Sequence, residues 1–200
     1  MSKLIVSDLS CQRGYNELFT NLSFELNSGE ILKISGANGS GKTSLLKILA
    51  GLNSAESGRL FINNNKVGSS DYQSDIFYLG HLPALRPELH CKENLDYLTQ
   101  LNTSSSNQAL DDALTNVDLK NFEYEYAANL SAGQKRRVVL SALFITQSKV
   151  WLLDEPFTAL DADGIKVIET QITKHCDNGG ICILTTHQEC NLPKLRTLTL

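Results

Sequence analysis

A glycine-rich loop followed by a lysine and a threonine is the clearest chemical feature of this 200-residue sequence. Residues 36–43 read GANGSGKT and match the pattern G-x-x-x-x-G-K-[ST], whose glycines let the backbone curl until its N–H groups point at a phosphate. Lys42 would contact the β- and γ-phosphates, and the Thr43 hydroxyl would bind Mg²⁺. The predicted nucleotide-binding residues are Gly36, Ala37, Asn38, Gly39, Ser40, Gly41, Lys42, Thr43 and Ser44.

An apolar segment that ends in two acids supplies the second half of the predicted site. Residues 150–153 read VWLL, which is typical of a buried strand, and Asp154 follows at the carboxyl end, where open α/β sheets bind their ligands. Asp154 would hold Mg²⁺ together with Thr43, and Glu155 would act as general base for a water molecule. A solvated turn is the alternative for an isolated Asp-Glu pair, and the glycine-rich loop upstream disfavours it.

A third segment, LSAGQ at residues 130–134, precedes Asp154, with Gly133 lying 21 positions before that aspartate (154 − 133). Locally, Ser131 would cap a helix that has Gly133 in its first turn. Together with the loop and the acid pair, LSAGQ followed by KRR resembles the signature motif of the ATP-binding-cassette (ABC) ATPases. The resemblance covers essentially all 200 residues and rests on five motifs that occur in order along the chain.

Two further segments occur in the order expected of that family. ALD at residues 159–161 resembles its D-loop, and His187 resembles its switch histidine, which contacts the γ-phosphate. The resemblance implies that two copies pair head to tail, with each ATP between the glycine-rich loop of one copy and the signature segment of the other. The residues implied for ATP binding in the other copy are Ser131, Gly133 and Gln134, and those implied for catalysis are Lys42, Glu155 and His187.

Within the family, the chain resembles the ATP-binding subunit of the haem exporter of cytochrome c maturation. This resemblance rests on SGANGSGKTSLL at 35–46, on YLGH at 78–81, on LSAGQ followed by KRR, and on the short chain. It implies integral-membrane permease subunits of the haem-exporter type and a homodimer of ATP-binding subunits in the complex. It also implies a peripheral location at the cytoplasmic face of the bacterial inner membrane.

Two positions depart from the family pattern. His81 stands where most cassette ATPases carry a glutamine that bridges Mg²⁺ to the membrane partner, and an imidazole binds a metal only in its neutral form. We therefore predict His81 as a nucleotide and metal ligand, with packing as the alternative. Arg13 stands where an aromatic residue usually stacks on adenine, and either Arg13 or the nearby Tyr15 could cover the ring.

Alternating strands and helices would position these motifs. The predicted strands are residues 3–9, 22–26, 31–34, 150–153 and 181–184, and residues 58–67 are predicted as a pair of strands with a turn at 63–65. The predicted helices are residues 42–51, 92–101, 107–117, 134–145 and 164–174. The resulting class is α/β, with a P-loop NTPase core of ABC-ATPase type and an antiparallel β layer from the N-terminal third. We interpret residues 1–200 as one ATP-binding domain with an inserted helical subdomain at about 83–145, whose two first helices are separated by a polar loop at 102–107.

The charge balance, the apolar segments and the cysteines of the chain exclude several classes of partner and site. The chain has 18 Lys+Arg against 22 Asp+Glu, a net charge of −4, so it lacks the global basic field that nucleic acids attract, and we predict no nucleic acid partner. Its apolar runs are too short to span a bilayer, and no secretory signal is visible. Five scattered cysteines without a C-x-x-C pair favour buried thiols in a reducing compartment over a zinc site or a disulfide framework.

These observations predict an ATPase that uses ATP and Mg²⁺ to drive a membrane transporter, with haem export as the first hypothesis. The alternatives are the ATPase of another small-substrate transporter and a soluble ABC ATPase acting on DNA or ribosomes. The latter usually carries two cassettes or a long insertion, for which 200 residues leave no room. A kinase with the same core would need no signature segment.

Overall fold

The computed structural model describes residues 2–99 and 106–200, and these divide into two compact units. The first unit runs up to Tyr78 and includes Ser148–Glu155 and Ile172–Leu200. The second contains the described part of Leu79–Gln147 together with Pro156–Gln171, so it extends beyond the helical subdomain predicted at 83–145. Most of the polar loop predicted at 102–107 lies outside the described residues, as does the end of the helix predicted at 92–101.

The strands and helices alternate along the chain. In chain order, the elements are β1 (Lys3–Arg13), β2 (Asn16–Asn27), β3 (Ile31–Ser35), α1 (Lys42–Leu49), β4 (Ser57–Ile62), β5 (Asn65–Lys66), α2 (Ser70–Ser74), β6 (Ile76–Leu79), α3 (Cys91–Thr99), α4 (Asn107–Thr115), α5 (Ala132–Ser141), β7 (Val150–Asp154), α6 (Ala162–Asp177), β8 (Ile181–Thr185) and β9 (Leu195–Thr199). Short 3₁₀ turns follow at Ala127–Asn129, before α5, and at Ala142–Phe144, directly after it.

The first unit contains two sheets, which confirms the predicted antiparallel layer beside a parallel core. One sheet has the order β2-β1-β4-β5 and is antiparallel in its β1–β2, β1–β4 and β4–β5 pairs. The other has the order β6-β7-β8-β3-β9, in which β7–β8, β8–β3 and β3–β9 are parallel. Every residue of β7 and β8 is buried, as expected of central parallel strands whose two faces are both covered.

An apolar cluster joins the two sheets of the first unit to α1. It joins side chains of the antiparallel sheet, such as Leu4 and Ile62, to Leu46 of α1 and to Leu152 and Ile183 of the parallel sheet. Because α1 buries one face in this cluster, its N-terminus and the loop before it are held against the ends of the parallel strands. This core fixes the position of the glycine-rich loop.

The structure corrects several predicted boundaries. The strands predicted at 3–9 and 22–26 extend to Arg13 and begin at Asn16, because the turn at Gly14 and Tyr15 continues a long hairpin. The helix predicted at 134–145 begins earlier, at Ala132, and ends at Ser141, where the chain tightens into the 3₁₀ turn. The short helix α2 and the edge strand β9 were not predicted. Among the described residues, no helix combines the length and apolar character needed to cross a membrane.

Candidate nucleotide-binding site

The glycine-rich loop connects β3 to α1 in the first unit. Gly36 (φ 147°) and Gly41 (φ 102°) adopt left-handed backbone conformations that favour glycine. A β-carbon at Gly36 would also lie 2.5 Å from Ser40 Oγ and 2.9 Å from the carbonyl of Leu200, so the loop can only close tightly around a glycine. Gly41 is the N-cap of α1 and has no side chain with which to cap it, which leaves the positive end of the helix available to an anion.

Two polar groups of this loop are arranged for a negatively charged ligand. The Lys42 ammonium bends back and donates to the carbonyls of Gly36 (2.8 Å) and Ala37 (3.0 Å), which places its charge above the loop. Ser40 Oγ is buried and has no hydrogen-bond partner within the described part of the chain. A buried hydroxyl without a partner costs free energy, and phosphate oxygens would satisfy it.

Asp154 lies at the end of β7 and is 2% exposed. Thr43 Oγ1 donates to Asp154 Oδ2 at 2.8 Å, and Thr185 Oγ1 donates to Asp154 Oδ1 at 2.7 Å. No cluster of three or more His, Cys, Asp or Glu suited to a metal occurs in residues 2–99 and 106–200. One hydroxyl beside one carboxylate is instead the donor set that suits Mg²⁺, which takes its remaining ligands from phosphates and water. The residues therefore fit the predicted metal.

Glu155 and His187 meet beside Asp154. The Glu155 N–H donates to the Thr185 hydroxyl (3.0 Å) and to the Thr185 carbonyl (3.2 Å), and the residue adopts a left-handed conformation with φ 51°. Glu155 Oε2 accepts from the His187 N–H at 3.3 Å, and its Oε1 lies 3.6 Å from His187 Nε2. Tyr78 is influenced by the Asp154 carboxylate. Its burial, and to a smaller extent the charge of Asp154, raise the pKa of Tyr78 to about 12, which keeps that phenol neutral.

The signature segment begins α5 in the second unit. Ser131 Oγ accepts from the Gln134 N–H at 3.2 Å, and Gln134 Oε1 accepts from the Ser131 N–H at 2.9 Å, a reciprocal capping box in which Ser131 caps the helix as predicted. A β-carbon at Gly133 would lie 3.1 Å from the carbonyl of Ala159, so this glycine lets the D-loop residues approach α5 closely.

An arginine one turn further along α5 connects the same two segments. Arg137 forms ion pairs of 2.8 Å with Asp118 and with Asp161, the last residue of the D-loop. The Gly164 N–H, and to a smaller extent Arg137, lower the pKa of Asp161. Sequence reasoning did not single out Arg137 or Thr185, because each acts through partners that are distant along the chain.

The structure therefore groups the predicted residues in two sets. Lys42, Thr43, Asp154, Glu155 and His187 all lie in the first unit, where hydrogen bonds connect all but Lys42 through Thr185. The second set, Ser131, Gly133, Gln134 and His81, lies in the second unit.

His81 is exposed, and its carbonyl accepts from Arg136 at 3.4 Å, so its metal-binding role stays a prediction. Arg13 and Tyr15 are both exposed next to the β1–β2 turn, which leaves the choice of adenine-stacking residue open.

Comparisons with known proteins agree with this geometry. The profile of the family described as ABC transporter matches residues 19–158. "Cytochrome c biogenesis ATP-binding export protein CcmA" of Haemophilus ducreyi is 43% identical over 203 residues, covering 100% of this chain and 97% of the relative. The protein of the same name from Shewanella oneidensis is 45% identical, covering 96% of this chain and 89% of the relative.

Solved structures are similar in fold. An ATP-binding subunit of an ABC transporter superposes with a TM-score of 0.83 at 25% identity, covering 92% of this chain and 79% of the other. A dimeric ATP-binding cassette in a post-hydrolysis state, bound to ADP and Pi, superposes with a TM-score of 0.81 at 22% identity, covering 92% of this chain and 88% of the other. The α/β fold predicted from the sequence is thus confirmed as that of an ABC ATPase.

Proposed function

The chain belongs to the ABC transporter family of ATP-binding proteins, and we propose that it is the ATP-hydrolysing subunit of a membrane export complex that serves cytochrome c biogenesis. The ATPase assignment follows from the family and from the loop, acid pair and histidine gathered in the first unit. The export role is supported by the relatives that match the full chain and carry that name. Haem is the exported molecule in this proposal.

ATP would bind at the glycine-rich loop. The N-terminus of α1 and the Lys42 ammonium supply positive charge for the β- and γ-phosphates, while Thr43 and Asp154 would hold Mg²⁺. The metal, when bound, neutralises charge on the phosphate oxygens. Because Thr43 Oγ1 and Asp154 Oδ2 are already within 2.8 Å of each other, this pair requires little rearrangement to share one cation.

Glu155 would be the general base. Its carboxylate lies one residue beyond the metal-binding carboxylate and accepts the proton of the attacking water at one of its oxygens. The 3.3 Å hydrogen bond from the His187 N–H orients the Glu155 side chain, and His187 would contact the γ-phosphate. The first unit therefore holds both the binding and the proton-accepting groups.

The second unit would act on the ATP of another copy. Ser131, Gly133 and Gln134 lie at a helix N-terminus, which is an electrostatically favourable place for a γ-phosphate, but the segment has no lysine-bearing loop of its own. A homodimer of ATP-binding subunits would then contain two complete sites. The dimeric cassette with similar fold, bound to ADP and Pi, supports this arrangement.

Integral-membrane permease subunits of the haem-exporter type are the proposed partners, at the cytoplasmic face of a bacterial inner membrane. Closure and opening of the ATP-binding dimer would drive them. The net charge of −4 gives no support to a nucleic acid partner. His81 stays a predicted nucleotide and metal residue within this complex.

The observation that carries the proposal is the hydrogen-bonded series Thr43–Asp154–Thr185–Glu155–His187 beside the glycine-rich loop. The test is to purify the tagged chain from membranes, identify the bound subunits and measure Mg²⁺-dependent ATP hydrolysis of the complex. Co-purification with a permease, and activity that depends on Glu155, are expected. A chain that is active only with ribosomes or DNA would contradict the export role and leave the ATPase assignment intact.

A further inference from the structure

Thr185, the last residue of β8, is a buried residue to which none of the sequence motifs assigns a role. Strands β7 and β8 are parallel neighbours in a register that places Asp154 opposite Thr185. Thr185 is 0% exposed, so its hydroxyl must find hydrogen-bond partners inside the protein. It has two, the carboxylate of Asp154 and the backbone N–H of Glu155.

Donor and acceptor chemistry determines the direction of these two bonds. The Glu155 N–H can only donate, so across 3.0 Å it donates to Thr185 Oγ1. The single proton of the hydroxyl is therefore left for Asp154 Oδ1, 2.7 Å away. Of the similar or smaller side chains, serine can make both bonds, whereas valine and alanine can make neither.

The bond to Asp154 restrains the carboxylate that would bind the metal. Asp154 Oδ2 accepts from Thr43 Oγ1 at 2.8 Å, while Oδ1 accepts from Thr185. Each carboxylate oxygen is thus bonded to the hydroxyl of a threonine, and rotation of the group about its Cβ–Cγ bond would break both contacts. Thr185 thereby keeps Oδ2 beside the Thr43 hydroxyl, the second group that would hold Mg²⁺.

The bond to the Glu155 N–H restrains the general base. Glu155 has φ 51°, a left-handed conformation that is unfavourable for a residue with a β-carbon and persists only where neighbouring groups hold it. Both acceptors of its N–H, at 3.0 and 3.2 Å, belong to Thr185. Thr185 therefore supports the backbone from which the Glu155 carboxylate reaches His187.

We propose that Thr185 is a positioning residue that ties the Mg²⁺-binding carboxylate of Asp154 to the backbone of the general base Glu155, an inference that rests on the proposed ATPase function. Loss of the hydroxyl releases Asp154 from one side and removes one of the two bonds to the Glu155 N–H. The two hydrogen bonds of the Thr185 hydroxyl go to Asp154 and to Glu155, and neither involves the glycine-rich loop or Lys42. Nucleotide binding without metal should therefore survive the change.

Variants of the full-length chain test the hydroxyl. Thr185→Val replaces it with a methyl group of similar size, and Thr185→Ser keeps it. For each variant, kcat and KM for ATP are measured, and equilibrium ATP affinity is titrated with Mg²⁺ and with EDTA. We expect Thr185→Val to lower kcat at least about tenfold with KM changed less than about threefold, and Thr185→Ser to stay within about threefold of the wild type. The increase in ATP affinity that Mg²⁺ provides should shrink in Thr185→Val and be kept in Thr185→Ser.

A second matched pair separates the hydroxyl from packing. Thr185→Ala and Thr185→Ser both lack the γ-methyl group and differ only in the hydroxyl, and thermal unfolding of each variant checks that it folds. Equal kcat and equal Mg²⁺ dependence in this pair, or equal loss in both, would overturn the positioning role. Wild-type protein that hydrolyses no ATP would overturn the proposed function instead. Normal turnover in Glu155→Gln would assign the general base to another residue and overturn the part of the positioning role that concerns Glu155.

Discussion

Two helices of this chain begin at sites suited to phosphate, and they begin in different ways. Helix α1 follows a loop of left-handed glycines, is capped by Gly41 without any side chain, and starts with Lys42. Helix α5 starts with a closed capping box, in which Ser131 and Gln134 bond to each other's backbone N–H groups. The first N–H groups of α1 have no side-chain cap, and the Lys42 ammonium lies over the loop before them. At the start of α5, side chains of the helix itself already accept hydrogen bonds from two backbone N–H groups.

The surroundings of the two helix starts differ as well. Beside α1, the carboxylates of Asp154 and Glu155 face a hydroxyl and a histidine at the ends of two parallel strands. Beside α5, the carboxylates of Asp118 and Asp161 are paired with Arg137. The first region therefore has the groups proposed to bind and hydrolyse Mg–ATP, and the second has a capped helix start that could cover a phosphate bound elsewhere. This contrast favours a site shared by two copies.

Glu155→Gln should have the largest effect, because it removes the proposed proton acceptor and keeps the shape of the side chain. We expect turnover to fall by about 100-fold or more, while ATP affinity changes less than about threefold. Steady-state ATPase assays and equilibrium titration check the two quantities. A normal turnover number would assign the base to another residue.

Lys42→Ala removes the ammonium group that lies over the glycine-rich loop at the start of α1. We expect ATP affinity to fall at least about tenfold, because a charged donor to the β- and γ-phosphates is lost. The matched control is Lys47→Ala, which removes the same charge from the last turn of α1. Equal affinities in both variants would contradict the role of the loop.

Arg137→Leu tests the second region. The change breaks the link between α5 and the D-loop, so we expect turnover to fall about three- to tenfold through misplacement of the signature segment, with ATP affinity unchanged. Arg137→Lys keeps the positive charge but loses the guanidinium group that reaches two carboxylates. Its turnover should lie between those of the wild type and Arg137→Leu. A loss of ATP affinity equal to the loss of turnover would show that Arg137 acts on binding.

His175 concerns a different property, the stability of the first unit, and leaves the nucleotide site unchanged. Its ring stacks on Trp151, the sole tryptophan, at 3.8 Å between ring centroids, and burial lowers its pKa from 6.5 to about 4. Between these values the unfolded chain binds a proton that the folded chain does not, so the free energy of unfolding should decrease as the pH falls from 6.5 to 4. This residue should account for about 1–3 kcal/mol of that decrease.

Denaturant unfolding followed by the fluorescence of Trp151 measures that pH dependence. His175→Phe keeps an aromatic ring and has no proton to bind, so its unfolding free energy should change less over the same pH range. An unchanged slope in this variant would contradict the assignment.

The elements that carry the proposed binding residues could be predicted from the sequence because these elements depend on local segments of the chain. The loop, α1 and the Ser131 cap each depend on residues within a few positions of one another, and the apolar run of β7 located Asp154. The edge strand β9 was missed because its exposed and half-buried residues have no apolar run. Helix α2, with five residues, is too short to show a periodicity.

The residues that position the site could not be predicted in the same way. The bond between Thr185 and Asp154 depends on the register of β7 and β8, and these residues are 31 positions apart. The pair of Arg137 and Asp161 spans 24 positions. Hydrophobic patterns predict which strands are buried, but the register between two fully buried strands is set by packing that a single sequence does not reveal.

Mixing two inactive variants tests most directly whether the two regions act on one ATP across two copies. Lys42→Ala disables the loop and leaves the signature segment intact. Ser131→Asp keeps a good helix cap and places a negative charge where the phosphate of the other copy would lie. Each variant alone should be nearly inactive, whereas a random mixture forms mixed dimers with one intact site and should recover up to about a quarter of wild-type ATPase activity. Activity no higher than that of the separate variants would contradict a shared site.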